Sequence, residues 1–185
     1  MQAVILIVLI SLLFSCQKNR QLKPDTKFSQ WSQVKSWSLT GKMAINDGQN
    51  SGSGRIKWLV SGNEINARFK APLGQGSWSV YATDDTAKLT SSINGEMFAT
   101  DAQMLIAQEL GWHFPWNNLQ YWLRGYSSDA VLQKHDVTFT TLHEDGWDIS
   151  YKQWMPTAIG LLPKKITAQK SPYTVKLIIY AWDIN

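Results

Sequence analysis

From residue 36 onward the chain is patterned at a period of two, and this alternation limits what it can fold into more than any other feature. Trp37, Leu39, Gly41, Met43 and Ile45 fall on one side of an extended backbone; Ser36, Ser38, Thr40, Lys42 and Ala44 fall on the other. Ile56, Trp58 and Val60 alternate with Arg55 and Lys57. Ile65, Ala67 and Phe69 alternate with Glu64, Asn66, Arg68 and Lys70, and Trp78, Val80 and Ala82 with Ser79, Tyr81 and Thr83. Successive side chains of a strand point to opposite faces, so each segment reads as a half-buried strand. Asn94-Gly95 and Asp145-Gly146 are hairpin signals, because a type I′ turn needs positive φ at both central residues. The second is expected to join residues 137–142 to 147–154. A last strand, 173–182, turns apolar on both faces near its end.

Two helices interrupt the pattern. Thr100 and Gln103 have capping-box spacing ahead of Met104-Leu105-Ile106, and Gly111 is placed to stop that helix. Pro115 opens a second helix whose apolar stripe is Trp116, Leu119, Trp122 and Leu123, ended by Gly125. Roughly ten strands with one apolar face each are more than two short helices can cover. Either the sheet folds on itself as a packed sandwich, or it curls into an open barrel with space inside; alternation alone leaves both open.

The N-terminus is of a different kind. Residues 3–10 are unbroken apolar sequence, followed by Ser11-Leu12-Leu13-Phe14-Ser15-Cys16. The run is short of the roughly 20 residues that span a bilayer and reads as an export signal. Its end resembles the bacterial lipobox, with small Ser15 immediately before the only cysteine among 185 residues. In such signals the cysteine is acylated and becomes the first residue of the mature chain. It departs from ordinary signals in having no Lys or Arg before the apolar run. Residues 1–15 are thus expected to be removed, 16–35 to form a lipidated basic tether, and 36–185 to form one domain. In lipoprotein signals of Gram-negative bacteria an aspartate after the cysteine favours inner-membrane retention, so with Gln17 there the resemblance implies the outer membrane.

Charge supports this division. The net charge of +4 lies entirely in Lys18, Arg20, Lys23, Lys27 and Lys35 against Asp25; the remainder balances. A nucleic-acid-binding face would place the excess on the folded domain, whereas a basic tether suits an anionic membrane surface. Candidate chemistry is sparse. His113, His135 and His143 show no metal-ligand spacing, and Asp84-Asp85 reads as a turn. No Gly-x-Ser-x-Gly is present, and the Gly-x-Gly pairs at 52–54 and 74–76 lack a phosphate-binding lysine. Neither catalytic residues, cofactor nor metal is expected.

The most unusual segment is Ala71-Pro72-Leu73-Gly74-Gln75-Gly76. Pro72 fixes φ, Gly74 permits a sharp reversal, and Leu73 places a large apolar residue at a turn tip. Either Leu73 folds back onto the domain, or it projects and meets lipid or a partner.

Together, these features occur in order: the lipobox, the Trp-rich strands, Phe69-Lys70-Ala71-Pro72-Leu73-Gly74-Gln75-Gly76, Leu110-Gly111-Trp112-His113-Phe114-Pro115, Tyr121-Trp122-Leu123-Arg124-Gly125, Asp145-Gly146-Trp147-Asp148-Ile149-Ser150-Tyr151, and Val175-Lys176-Leu177 running to Trp182. The set resembles the LolB family of outer-membrane lipoprotein receptors over nearly the whole chain. The resemblance implies a mostly β fold: an incompletely closed antiparallel barrel of about eleven strands around an apolar cavity, with short helices as plug and lid. It implies a monomer that accepts lipoproteins from the periplasmic carrier LolA, holding their acyl chains in the cavity. It then inserts them into the inner leaflet of the outer membrane without nucleotide. Leu73, flanked by Pro72 and Gly74, matches the family's membrane-insertion loop. Trp58, Trp122, Trp147 and Trp182 match recurring tryptophans expected around the cavity. Alternation and helix faces add Phe69, Trp78, Met97, Leu105, Leu119 and Tyr151 to that lining. The competing expectation is a non-transporting lipoprotein, a scaffold whose Trp-rich face is packed core.

Overall fold

Every strand expected from the alternation in residues 36–82 forms, and each buries the apolar side. The computed structural model of the protein describes residues 34–113, 115–128 and 141–184. Residues 1–33 with Cys16 and most of the expected tether, Phe114, His135 and the 137–140 part of the second hairpin lie outside the described residues. In chain order the strands are β1 (Ser36–Asn46), β2 (Ser51–Ser61), β3 (Glu64–Lys70), β4 (Ser77–Ala82), β5 (Ala87–Ser91) and β6 (Gly95–Ala99). After two helices, α1 (Ala102–Leu110) and α2 (Trp116–Arg124), come β7 (Thr141–Glu144), β8 (Trp147–Thr157), β9 (Gly160–Lys170) and β10 (Tyr173–Ile184). The described residues thus give ten strands rather than about eleven.

All ten lie in one antiparallel sheet of order β6-β5-β4-β3-β2-β1-β10-β9-β8-β7. The first and last of these strands pair at its centre, and among the described residues β6 and β7 are its unjoined edges, so the sheet is open there. Two irregularities help it curl. The β1–β10 register shifts between Thr40 and Gly41, and the β8–β9 register shifts between Tyr151 and Trp154; such bulges bend a sheet and increase its twist. The bend at β1 also requires a missing side chain, since a Cβ on Gly41 would sit 2.4 Å from the Ile178 carbonyl oxygen.

The helices lie on the concave face. α1 packs on β4, β5 and β6, while α2 packs on β9. Gly111 and Gly125 stop them in the left-handed conformation, as read from the sequence. The start of α1 differs by one residue. Asp101, not Thr100, is the N-cap, its carboxylate accepting the Met104 N–H at 2.7 Å. Gln103 does not reach back to close a capping box. Its Oε1 instead accepts the Trp116 N–H at 3.2 Å, tying the start of α2 to α1.

The two expected hairpins also differ. Asp145 (φ 52°) and Gly146 (φ 75°) form the two-residue connection that type I′ geometry requires, with Glu144 opposite Trp147. At β5–β6 the pairing Ser91–Gly95 leaves three residues in the loop, and only Gly95 takes positive φ (80°) there. The hairpin exists, but as the three-residue form closed by a glycine bulge.

Strand direction separates two landmarks of the domain. β1 and β3 run the same way, so Ser36, where β1 begins, and the turn after β3 lie at opposite ends of the sheet. The length of β3 holds the two ends ~20 Å apart.

A closed apolar interior and a projecting leucine

The alternation places the inward-facing apolar side chains of β1 to β4 in one core with α1, α2 and the far wing of the sheet. Trp58, Phe69, Trp78, Leu105, Trp122, Trp147 and Tyr151 are all buried there, while Met97, Leu119 and Trp182 are partly buried against it. Aromatic pairs organise this interior. Phe69 stacks on Trp78 at 5.4 Å, and Trp112, from the α1–α2 connection, meets both edge-on. Trp58 packs on Trp116 at 4.6 Å, and Trp122 on Trp147 at 6.0 Å. Each such pair contributes ~0.5–1.5 kcal/mol beyond the area it buries. Trp182 lies further out, against Trp37, with its indole N–H donated to the Pro163 carbonyl at 3.0 Å.

Of the residues expected to line a cavity, Phe69 and Trp78 border an open recess of about 790 Å³ shared with Arg55, Lys57, Arg68 and Tyr180, and Leu119, Trp122 and Trp147 border an inner cavity. It lies between α2 and the β8–β10 wing, is apolar, and holds about 20 Å³. That is room for about one water-sized body, far below the volume of an acyl chain. In this arrangement the interior is shut.

What shuts it is α2, and the latch is polar. The Trp122 indole N–H donates to the buried Glu144 carboxylate, which also accepts from the Ser128 N–H at 2.9 Å and from the Ser128 hydroxyl. The Tyr151 hydroxyl donates to the Trp122 carbonyl at 3.0 Å. Burial, with the Glu144 charge nearby, raises the pKa of this phenol, so it remains a donor at physiological pH. Asn118 Nδ2 donates to Asp145 at 2.7 Å. At the C-terminal end of α2, burial pulls Arg124 down to about 10, still protonated near neutral pH. Its guanidinium lies over Trp37 and Tyr121, and its Nε donates to the Gln120 carbonyl at 2.9 Å. Among the described residues, the Trp58 and Trp78 indoles bury their N–H groups without an acceptor.

Glu144 was not among the residues expected from the sequence, although a signal for it exists. A two-residue Asp-Gly turn fixes Glu144 opposite Trp147, and an inward Trp147 makes Glu144 inward as well.

Leu73 behaves in the opposite way. It is 97% exposed, the most exposed large apolar residue described. The Pro72–Gly74 turn is a single 3₁₀ turn, closed by Gln75 N–H to the Pro72 carbonyl at 3.1 Å and by Ala71 N–H to the Gly76 carbonyl at 2.9 Å. The reversal expected at Gly74 uses positive φ at its neighbours Leu73 (φ 53°) and Gly76 (φ 131°). A left-handed backbone costs a residue with a side chain roughly 1–2 kcal/mol. Leu73 therefore bears strain and also exposes an apolar side chain.

No group of three or more potential metal-ligating side chains occurs among the described residues. His143 pairs with Asp148 at 2.8 Å on the surface, and Asp84 accepts from Asn63 in the turn after β4.

A curled antiparallel sheet shut by an inner helix over an apolar interior defines the fold class, and a solved structure shares it. The putative outer membrane lipoprotein-sorting protein domain from Vibrio parahaemolyticus superposes with a TM-score of 0.51 over 85% of this chain and 90% of its own, at 7% identity. Residues 35–182 match the family described as "Outer membrane lipoprotein LolB". The chain belongs to that family. The outer-membrane lipoprotein LolB of Nitrosococcus oceani is 30% identical over 194 aligned residues, covering 98% of this chain and 96% of the relative. The one from Xanthomonas campestris pv. campestris strain 8004 is 28% identical over 171, covering 87% and 78%.

Proposed function

We propose that this protein is a lipid-anchored receptor that takes lipoproteins from a soluble carrier of the LolA type and passes them into the inner leaflet of the outer membrane. Cys16 carries the anchor, residues 17–35 form the tether, and the apolar interior receives acyl chains. The exposed, strained Leu73 is the observation that carries this reading. Its side chain buries almost nothing in the fold, whereas burial in a bilayer would contribute roughly 1.5–3 kcal/mol.

Acyl chains pass from one apolar interior to another because exposing each methylene to water costs about 0.8 kcal/mol. The shut interior means that α2 swings away as chains enter. The chains replace the contacts that Leu119, Trp122 and Trp147 lose, and the Glu144 and Tyr151 bonds to Trp122 break. Direction follows from successive affinities: carrier, receptor, bilayer. No nucleotide is needed. Leu73 perturbs the leaflet next to the opening and lowers the barrier to release.

The competing reading, a non-transporting scaffold lipoprotein, is favoured by the cavity of only about 20 Å³. The two separate in a transfer assay. Full-length lipid-anchored protein in vesicles is mixed with carrier loaded with a radiolabelled lipoprotein, and the vesicles are floated. Label should reach the bilayer, and Leu73→Glu should leave label held on the receptor. Label that stays on a carrier competent with another acceptor would establish the scaffold instead.

A further inference from the structure

The charges on the outer face of β1–β4 are nearly all of one sign. These strands contain five basic residues, Lys42, Arg55, Lys57, Arg68 and Lys70, and all five point outward and are exposed. The register sets them against one another. Lys42 lies opposite Arg55, Arg55 opposite Lys70, and Lys57 opposite Arg68. Like charges directly opposite in a sheet are destabilising, and a fold indifferent to this face would intersperse acids.

It does the reverse. The one acid of β1–β4 is Glu64, at the end of β3 remote from Leu73. Among the described residues none of the five cations has an ion-pair partner. Asp47, in the β1–β2 loop, is engaged with its own loop, accepting from Gln49 N–H at 2.9 Å and Asn50 N–H at 2.6 Å.

The ladder is also continuous with the projecting loop. Lys42, Arg55 and Lys70 share one recess of about 580 Å³ with Pro72, Leu73 and Tyr180. Tyr180 is the residue skipped by the register shift between β1 and β10, and it stands 58% exposed. An apolar tip, an aromatic ring with a polar end and a bank of cations are the three kinds of side chain that match the three depths of a bilayer interface.

We propose that this cationic ladder is a docking surface for anionic phospholipid headgroups, seating the domain so that Leu73 enters the leaflet beside it. The proposal rests on the reading of Leu73 as a membrane contact and extends it from one residue to a face. Phosphate groups neutralise the opposed Lys–Arg pairs, so the repulsion built into the sheet is relieved on binding. A bilayer is favoured over an acidic protein as the occupant because the recesses that the cations border, of about 790 and 580 Å³, also contain Tyr180 and, in the second, the fully projecting Leu73, a mixture of charge and apolar surface that matches headgroup and acyl region together.

The test uses the chain from Gln17 onward, which lacks the acyl anchor but keeps every described residue. Its binding is measured by co-sedimentation with vesicles of phosphatidylcholine alone and with phosphatidylglycerol added. The wild type should bind the anionic vesicles far better, and added salt should abolish the difference. Each charge near such a surface is worth roughly fivefold in affinity. Arg55→Gln with Lys70→Gln should therefore weaken anionic binding by roughly 25-fold and leave neutral binding unchanged. The basic residues before 36 are common to both proteins and cancel. Thermal unfolding verifies that the variant is folded. Leu73→Glu should weaken binding to both vesicle types. Wild-type affinity of the double variant for anionic vesicles would overturn the proposal. So would a variant that keeps vesicle binding but loses binding to the soluble carrier, since the ladder would then be a protein-docking face. Because the double variant should still accept lipoprotein from the carrier in neutral vesicles, the transfer assay separates failure of this proposal from failure of the receptor reading.

Discussion

The two faces of β2 carry two chemistries on one backbone. Ile56, Trp58 and Val60 point into a core shut by α2, while Arg55 and Lys57 point out beside other cations. The inner face gains stability from its neighbours; the outer face loses a little to its own. The difference teaches where to look for function in a sheet of this kind. Apolar packing explains itself by burial, and only its polar latch and its unoccupied space hint at movement. Opposed like charges and a strained, exposed leucine have no such explanation.

The contrast can be broken from the inside most severely. Trp58→Ala removes a buried indole packed at a tilt on Trp116 and should lower stability by ~3–5 kcal/mol, read by urea unfolding. Glu144→Ala should lower it by about 1–3 kcal/mol, because the Trp122 N–H loses its buried acceptor. Thermal unfolding would show this as a fall of roughly 2–4 °C per kcal/mol for a domain of this size. The same change weakens the latch on α2, so uptake of an apolar fluorescent probe should rise. A rise in stability would mean that the buried carboxylate costs more than the bonds it accepts contribute. Leu73→Asn runs the other way. Asparagine tolerates the left-handed backbone, so stability should increase by up to ~1 kcal/mol while delivery of lipoprotein to the bilayer slows. The smallest effect belongs to the outer face. Lys57→Gln should change stability by less than about 0.5 kcal/mol, with a slight gain from relieving its opposition to Arg68.

Much of this fold is legible in the sequence, for a definite reason. Period two survives tertiary context when one face is buried, so Trp37 through Ala82 can be assigned to faces residue by residue. Asp145-Gly146 forms the expected turn because both residues accept positive φ. Asn94-Gly95 does not form a two-residue turn, since Gly95 alone supplies the unusual backbone and Ser91 pairs across to it. Thr100 and Asp101 can each cap a helix, and the chain uses the carboxylate; no local pattern distinguishes them. Gln103 departs from its expected role because its partner lies across the α1–α2 connection, beyond any spacing rule. The volume of the interior is not legible at all. Alternation shows which side chains face inward and is silent on how closely helices press upon them. Lys42, Arg55, Lys57, Arg68 and Lys70 are visible as the polar side of strands, but their opposition requires the register.

The first strand begins at Ser36, at the end of the sheet away from Leu73. If Cys16 is acylated as proposed, the nineteen residues between it and the domain span at most ~65 Å, against ~20 Å of strand between the two ends. The anchor and the probing loop can then share one leaflet only when the body tips over its own leash. Held that near, the loop meets lipid at a high effective concentration, so a contact worth a few kcal/mol is frequent and short-lived. Delivery becomes a matter of repeated brief touches, each a chance to release cargo, by a protein that never leaves the surface it serves.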